Sequence, residues 1–252
     1  MRQAKAPSSS RIGESHLAEL DASVEVRRHP RARRLTLRVS RTRRAVIVTL
    51  PVQCDLGEAG TFLHRHIDWV RERLGNIPDP VPFIHGAMIP LRGEPHRVAF
   101  SGYGRRVAPV SRHAPTGPSS FAEIVVAGDH EHAPRRLRDW LQEEARRDLD
   151  ASVSVHARRL GLAPKRIVVR DQTSRWGSCS TNGVLSFSWR LVMAPPLILD
   201  YVAAHEVAHL AQMNHGPRFW ALVKRTMPEL EDAKRWLRVY GMDLHRYGVS
   251  GR

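Results

Sequence analysis

The sequence has little of what holds secreted proteins together or anchors proteins in membranes. Its 252 residues include two cysteines, Cys54 and Cys179, and no run close to the ~18 apolar residues that a membrane span requires. Residues 1–20 lack the apolar segment of a secretory signal. These absences predict a cytoplasmic protein with free thiols and no membrane association, stabilised by a hydrophobic core rather than by disulfides.

Acidic residues are also scarce relative to basic ones. The chain has 25 Asp and Glu against 40 Lys and Arg, which gives a net charge of +15 and a pI near 11.2. A surplus of this size favours contact with polyanions such as DNA or RNA. An arginine-rich proteome would produce the same surplus without a dedicated site, so both interpretations stay open.

The pattern of apolar residues predicts an α+β fold whose N-terminal part is rich in strands. Residues 1–21 are polar and Ser-rich and are expected to form a disordered basic arm. Residues 22–130 are predicted to form a β-rich N-terminal subdomain. Within it, residues 35–50 alternate apolar and polar side chains around a polar turn, as in a hairpin with one basic face. Residues 57–74 carry apolar side chains at helical spacing.

Residues 131–252 are predicted to form a separate, mainly helical domain. A helix is expected over residues 134–160. Asn182 and Gly183 stand between two strand-like segments, which is a strong hairpin signal. Prolines then mark the start of the next helices. The expected order is helix, β-hairpin, a helix that carries a histidine motif, and C-terminal helices.

The motif lies in YVAAHEVAHLAQMNHGPRFW, residues 201–220. A helix that is apolar on most sides should be buried, and burying His205, Glu206 and His209 without partners costs several kcal/mol. His205 and His209 lie one turn apart on the same helix face, which is the spacing at which two imidazoles bind one Zn²⁺. Glu206 fits the general base of the H-E-x-x-H pattern. A zinc ion would therefore supply the missing charge partner.

A catalytic zinc needs a third protein ligand and one open position. His215 follows His209 at the metzincin spacing, but Gln212 stands where that pattern has glycine. We therefore expect a turn around residues 214–216, where Asn214 and Gly216 tolerate left-handed conformations. The competing third ligands are later carboxylates, namely Glu229, Glu231 and Asp232.

The stretch SRWGSCSTNGVLSFSWRLVMAPPLILDYVAAHEVAHLAQMNHGPRFW, residues 174–220, resembles the YgjP-like metallopeptidases, which are related to the SprT/Spartan and WLM zinc proteases. The resemblance is strong over residues 165–240 and weaker over 24–100. It implies a minimal zincin-like metallopeptidase core, with a sheet packed against the metal-binding helix. It also implies metal binding by three histidines and catalysis by one glutamate, namely His205, His209, His215 and Glu206.

These residues predict a zinc-dependent hydrolase, and first of all a metallopeptidase in which Glu206 takes a proton from a metal-activated water. The relatives that cleave DNA-crosslinked proteins suggest a nucleic-acid-associated protein as substrate. Candidate substrate-binding residues are Arg175, Trp176 and Arg218. Candidate donors to the transition state are Arg175, Arg218 and Tyr240.

Two rival functions use the same residues differently. A metal-dependent nucleotide pyrophosphatase of the UTP type could grip phosphates with the Arg-rich face, although no P-loop is present. A nucleic-acid-binding protein could use the metal only as a structural element. A structural zinc normally has a fourth Cys or His ligand, and none stands at a suitable spacing.

Overall fold

The structure is a computed structural model, and it describes residues 10–17, 20, 22–40, 42, 44–102, 108–117 and 120–249. It confirms the predicted α+β class. The chain divides into two compact units, one up to Asp79 and one from Pro80 onward. No helix in the described ranges is long and apolar enough to cross a membrane. Both cysteines are free thiols.

The first unit is a four-stranded sheet covered by two helices. The strands are β1 (Ser10–Leu17), β2 (Ala22–Arg28), β3 (Thr36–Ser40) and β4 (Ala45–Leu50), in the order β1-β2-β4-β3. Strands β3 and β4 form the predicted antiparallel hairpin, and β2 runs parallel to β4. The helices are α1 (Leu56–Arg65) and α2 (Ile67–Gly75). The core of the unit contains alternate residues of β4 and the inward faces of both helices (Val46, Val48, Leu50, Ala59, Leu63, Val70, Leu74).

Two sequence predictions in this unit differ from the structure. The single helix expected over residues 57–74 is two helices, because the backbone of His66 (φ −109°, ψ 18°) leaves the helical region between them. The disordered arm predicted for residues 1–21 includes β1, which pairs antiparallel with β2 over residues 10–17. Residues 1–9, 18, 19 and 21 lie outside the described residues.

The second unit begins with another four-stranded sheet. Its strands are β5 (Met88–Leu91), β6 (Glu94–Ser101), β7 (Val110–His113) and β8 (Ala122–Ala127), in the order β5-β6-β8-β7. The 28-residue helix α3 (Ala133–Leu160) follows and ends at Gly161, which is left-handed at φ 69°. The sheet and α3 share one core, to which Val98 and Ile124 contribute from the sheet and Leu137 and Leu141 from the helix.

Because of this shared core, the sheet and α3 belong to one unit, and the chain divides before the sheet, after Asp79. The sequence placed a boundary after residue 130, where strand-like patterns give way to helical ones. A change of secondary structure is not a change of core, because a sheet must cover its apolar face with another element. Here α3 covers the sheet of residues 88–127.

The remaining elements surround the histidine motif. Strands β9 (Arg166–Arg170), β10 (Gly177–Cys179) and β11 (Val184–Ser188) form a sheet in the order β10-β11-β9. The hairpin predicted at Asn182-Gly183 joins β10 to β11, with Gly183 at φ 72°. A 3-10 helix, Trp189–Met193, leads into α4 (Pro196–Ala208), α5 (Pro217–Thr226), α6 (Leu230–Tyr240) and a last 3-10 helix, Gly241–Arg246.

Candidate metal centre

Helix α4 carries the first two histidines at its C-terminal end. The helix is buried on nearly every side, since nine of its thirteen residues are buried. His205 lies in its last turn and His209 is its C-cap residue, with the two ring centroids 4.9 Å apart. The i, i+4 spacing therefore places both imidazoles on one face, as the sequence predicted.

The chain turns back immediately after His209 and brings a third histidine to the pair. Two consecutive i→i−3 hydrogen bonds, Leu210 N to Val207 O at 3.0 Å and Ala211 N to Ala208 O at 3.1 Å, end the helix there and not at the predicted residues 214–216. Gly216 has an extended backbone (φ −79°, ψ −178°), so the return uses no left-handed residue at that position. The His215 ring then lies 5.0 Å from His205 and 4.7 Å from His209.

The donor set fits one divalent cation. One ring nitrogen from each histidine lies within 4.8 Å of the other two, and the Nε2 atoms of His205 and His215 are 3.0 Å apart. Tetrahedral Zn–N bonds of about 2.0–2.1 Å would place the nitrogens roughly 3.3 Å from one another. Two imidazole nitrogens that face each other share at most one proton, so a cation between them would satisfy both.

The carboxylates that competed for the third position lie elsewhere. Glu229, Glu231 and Asp232 are exposed, Glu231 pairs with Lys234 at 3.0 Å, and Asp232 pairs with Arg235 at 3.1 Å. Within the described part of the chain, the ligand-like cluster that the structure forms here consists of the three histidines. The geometry thus favours His215 over a carboxylate.

Burial keeps the imidazoles in the neutral form that metals bind. Desolvation, together with the charges of His209 and His215, lowers the pKa of His205 to about 3. Desolvation also lowers the pKa of His209. The Nδ1 of His209 lies 2.9 Å from the carbonyl oxygen of Gln212, and donation to that oxygen leaves Nε2 free as a ligand.

Glu206 is a buried carboxyl directly beneath strand β10. It is 5% exposed, and its Oε2 has no hydrogen-bond partner among the described residues. Burial raises its pKa to about 7, against the opposing effect of the Arg175 charge. A Cβ on Gly177 would lie 2.6 Å from both Cγ and Oε1 of Glu206, so only glycine allows the strand to approach this closely.

The histidines, Glu206 and strand β10 enclose one cavity of about 270 Å³. Its walls also include Ser178, Cys179 and Met213. Burial raises the pKa of the Cys179 thiol, which fits the interpretation of this residue as a small wall residue and not as a thiolate. Strand β10 is at the edge of its sheet, so the cavity opens beside a strand edge.

The other candidate site residues do not line the cavity, and they differ in how close they come to the metal centre. The exposed guanidinium of Arg175 is close enough to Glu206 to affect its pKa. Trp176 stacks on His245 with ring centroids 5.0 Å apart, outside the set of residues that line the cavity. Arg218 is exposed and is not part of that lining, and Tyr240 lines a different cavity with Trp236.

Two features of the centre carried no usable sequence signal. The carbonyl of Gln212 holds His209, but every residue has a carbonyl, so only the turn geometry selects this one. Phe219 packs against all three imidazoles, with ring centroids 4.5–4.8 Å away. Its helical spacing resembles that of any core residue.

The fold and this site define a metal-dependent hydrolase of the metallopeptidase class. The chain belongs to the YgjP-like family, since the family described as "YgjP-like, metallopeptidase domain" matches residues 33–240. One solved structure with similarity is the metallopeptidase zymogen abylysin of Pyrococcus abyssi, at 18% identity and a TM-score of 0.32, covering 36% of this chain and 94% of that one. No curated protein matches the sequence.

Proposed function

We propose that this protein is a zinc-dependent metallopeptidase in which His205, His209 and His215 hold the metal and Glu206 is the general base. The observation that carries the proposal is one cavity that contains three convergent imidazole nitrogens and a buried carboxyl without a partner in the described structure. The donor set suits zinc, which binds three neutral imidazoles and keeps one position open for catalysis. When bound, the metal supplies Lewis acidity at the scissile carbonyl and acidifies a water molecule.

Glu206 lies beside the three histidines, and one of its carboxyl oxygens is available for proton transfer. Its carboxylate accepts a proton from the attacking water and passes it to the nitrogen of the leaving amine. Strand β10 covers one side of the carboxyl and limits access of bulk water, because Gly177 lies directly against it. A hydrogen-bonding partner inside the protein would compete for this carboxyl, and the described structure provides none to Oε2.

The edge of β10 gives the substrate class. An extended peptide can pair with an exposed strand edge through main-chain hydrogen bonds, which places a peptide bond beside the strand irrespective of its side chains. Small side chains on this wall (Ser178, Cys179) leave room for substrate residues. We assign Arg175 a role in holding the substrate, because its charge acts at Glu206 although its side chain is not part of the cavity lining. Trp176 and Arg218 also lie outside that lining.

The metal cavity favours peptides over nucleotides. Its lining contains glycine, serine, cysteine, methionine, the three histidines and Glu206, but neither arginine nor lysine in the described residues. Hydrolysis of a phosphoanhydride requires cationic groups to hold the phosphates. A UTP-type substrate therefore has less support than a peptide.

The basic surface of the first unit makes nucleic-acid-associated proteins a reasonable substrate class. Arginines exposed between and along β2 and β3 include Arg31, Arg33, Arg34 and Arg38. Such a surface would bind the nucleic acid with which a substrate protein is associated. Binding to DNA would then weaken steeply as salt concentration rises, and salt-independent binding would contradict this part of the proposal.

The deciding experiment replaces Glu206 by Gln, which keeps the shape of the side chain and removes the base. We expect the zinc content to stay at the wild-type level and peptide hydrolysis to fall about 10²–10⁴-fold. Glu143→Gln, at an exposed position of α3, is the matched control and should keep full activity. Casein, a DNA-bound protein and UTP are offered side by side. Unchanged hydrolysis by Glu206→Gln, or loss confined to UTP, would contradict a metallopeptidase.

A further inference from the structure

A single buried aromatic ring lies against all three metal-binding imidazoles. Phe219, in the first turn of α5, is 0% exposed. Its ring centroid lies 4.8 Å from that of His205, 4.5 Å from that of His209 and 4.7 Å from that of His215. It meets His205 and His215 edge-on, at 73° and 71°, and lies more nearly parallel to His209, at 31°. The three ligands thus share one packing partner.

Hydrogen bonds leave two of the three rings without an orienting partner in the described structure. Zinc-binding histidines usually donate the second ring N–H to a carboxylate or carbonyl, which fixes the ring. His209 does so through Gln212, but the buried Nδ1 of His205 has no partner. The hydrogen bond of His215 in the described structure joins its Nε2 to the Nε2 of His205, on the side where a cation would lie. Packing must therefore fix the rings that hydrogen bonds do not.

Trp220 holds Phe219 and the two less constrained histidines from a second side. Its ring centroid lies 5.9 Å from His205 and 5.8 Å from His215, and it packs edge-on against Phe219 at 5.0 Å. The ammonium of Lys234 lies 4.5 Å from the Trp220 ring, where a cation–π contact stabilises it. Both aromatic residues follow His215 within five positions. They lie in the first turn of α5, which begins where the turn after His209 ends.

We propose that Phe219 is a positioning residue of the metal centre, which holds the three imidazoles in the arrangement that binds one divalent cation. A pre-arranged donor set binds more tightly, because the cation does not have to order the side chains. Replacing the ring would free His205 and His215 to rotate, while leaving every ligand atom in the chain. The proposal rests on the metal site of the proposed function but not on its peptidase activity.

The test measures metal binding by the full-length Phe219→Met variant, whose side chain has a similar volume and no flat ring. Zinc affinity is measured by competition with a chromogenic chelator, and ligand geometry by the visible absorption of the Co²⁺-loaded protein. We expect zinc affinity to fall about 10–100-fold, as for losses of other groups that orient metal ligands, and the Co²⁺ bands to weaken or shift. Phe219→Leu is measured in parallel, with circular dichroism to establish folding.

Phe83→Met is the matched control. Phe83 is 3% exposed and packs against Trp189, away from the histidine rings. This variant should keep zinc affinity within about twofold and leave the Co²⁺ bands unchanged. A folded Phe219→Met protein with wild-type affinity and spectrum would overturn the proposal, and so would an equal loss of affinity in Phe83→Met. A wild-type protein that binds zinc but hydrolyses no peptide would contradict the proposed function alone.

Discussion

Helix α4 carries two carboxylates six residues apart, Asp200 and Glu206, and the structure treats them in opposite ways. Asp200 Oδ1 accepts hydrogen bonds from Ser152 Oγ at 2.6 Å and from His156 Nε2 at 3.0 Å, both on α3. Burial alone would raise the pKa of Asp200, but the hydrogen bonds from His156 and Ser152 outweigh it and lower the pKa. Glu206 has no such donors on Oε2, and burial raises its pKa to about 7.

The difference separates the structural half of the helix from the half that needs a ligand. Buried polar groups in native proteins are nearly always paired, so those without partners require a specific explanation. At Asp200 the partners come from α3, although the second ring nitrogen of His156 has none among the described residues. At Glu206, Oε2 has no partner among the described residues, beside a cavity that the three histidines also line. An unpaired carboxyl oxygen next to three convergent imidazoles indicates a bound group.

The largest effect that this comparison predicts is stabilisation by zinc. A cation that binds only the folded chain at 1,000 times its dissociation constant stabilises it by about 4 kcal/mol. We expect urea unfolding of the wild type to shift by this order between zinc and chelator, and His215→Ala to lose most of the shift. His64→Ala, at an exposed position of α1, should retain it. If zinc did not change the free energy of unfolding of the wild type, the proposed difference between the two halves of the helix would be wrong.

A smaller effect is expected at Gly177, where the comparison can be sharpened without touching a ligand. Ala at this position would place a Cβ 2.6 Å from the Glu206 side chain, so the carboxyl or strand β10 must shift. A displacement of about 1 Å at a reacting group lowers kcat/KM by about 10²-fold. The histidines should keep their zinc affinity. In the control Gly60→Ala, the new methyl group meets nothing within 4 Å, and activity should not change. Full activity in Gly177→Ala would show that Glu206 is not confined by the strand.

The sequence predicted those parts of the site that depend on local geometry. The i, i+4 spacing of His205 and His209 and the turn at Gly183 follow from the period of the helix and from glycine's freedom at positive φ. The boundary between the units depends on which segments share a core, and apolar periodicity does not show this. The pairing of strands distant in sequence, such as β6 with β8, also leaves no periodic pattern in the sequence. The packing of Phe219 on three histidines depends in the same way on the turn after His209, which residue types did not fix.

The smallest effect concerns Asp200, and it tests whether this end of α4 is purely structural. Asp200→Asn removes the charge from the hydrogen bonds of Ser152 and His156, and should destabilise the protein by about 1 kcal/mol at pH 7 without changing zinc affinity. Because the folded pKa lies below the unfolded value of about 3.9, the charge stabilises the protein above that pH, and the contribution is lost as pH falls through the folded pKa. The stability difference between wild type and Asp200→Asn should therefore be constant from pH 7 to about pH 5 and shrink below pH 4.

Ser152→Ala removes one donor and leaves the carboxylate, so it should keep part of this acid-dependent difference. If Asp200→Asn instead lowered zinc affinity as His215→Ala does, the two carboxylates would belong to one functional unit, and the division of the helix would be wrong.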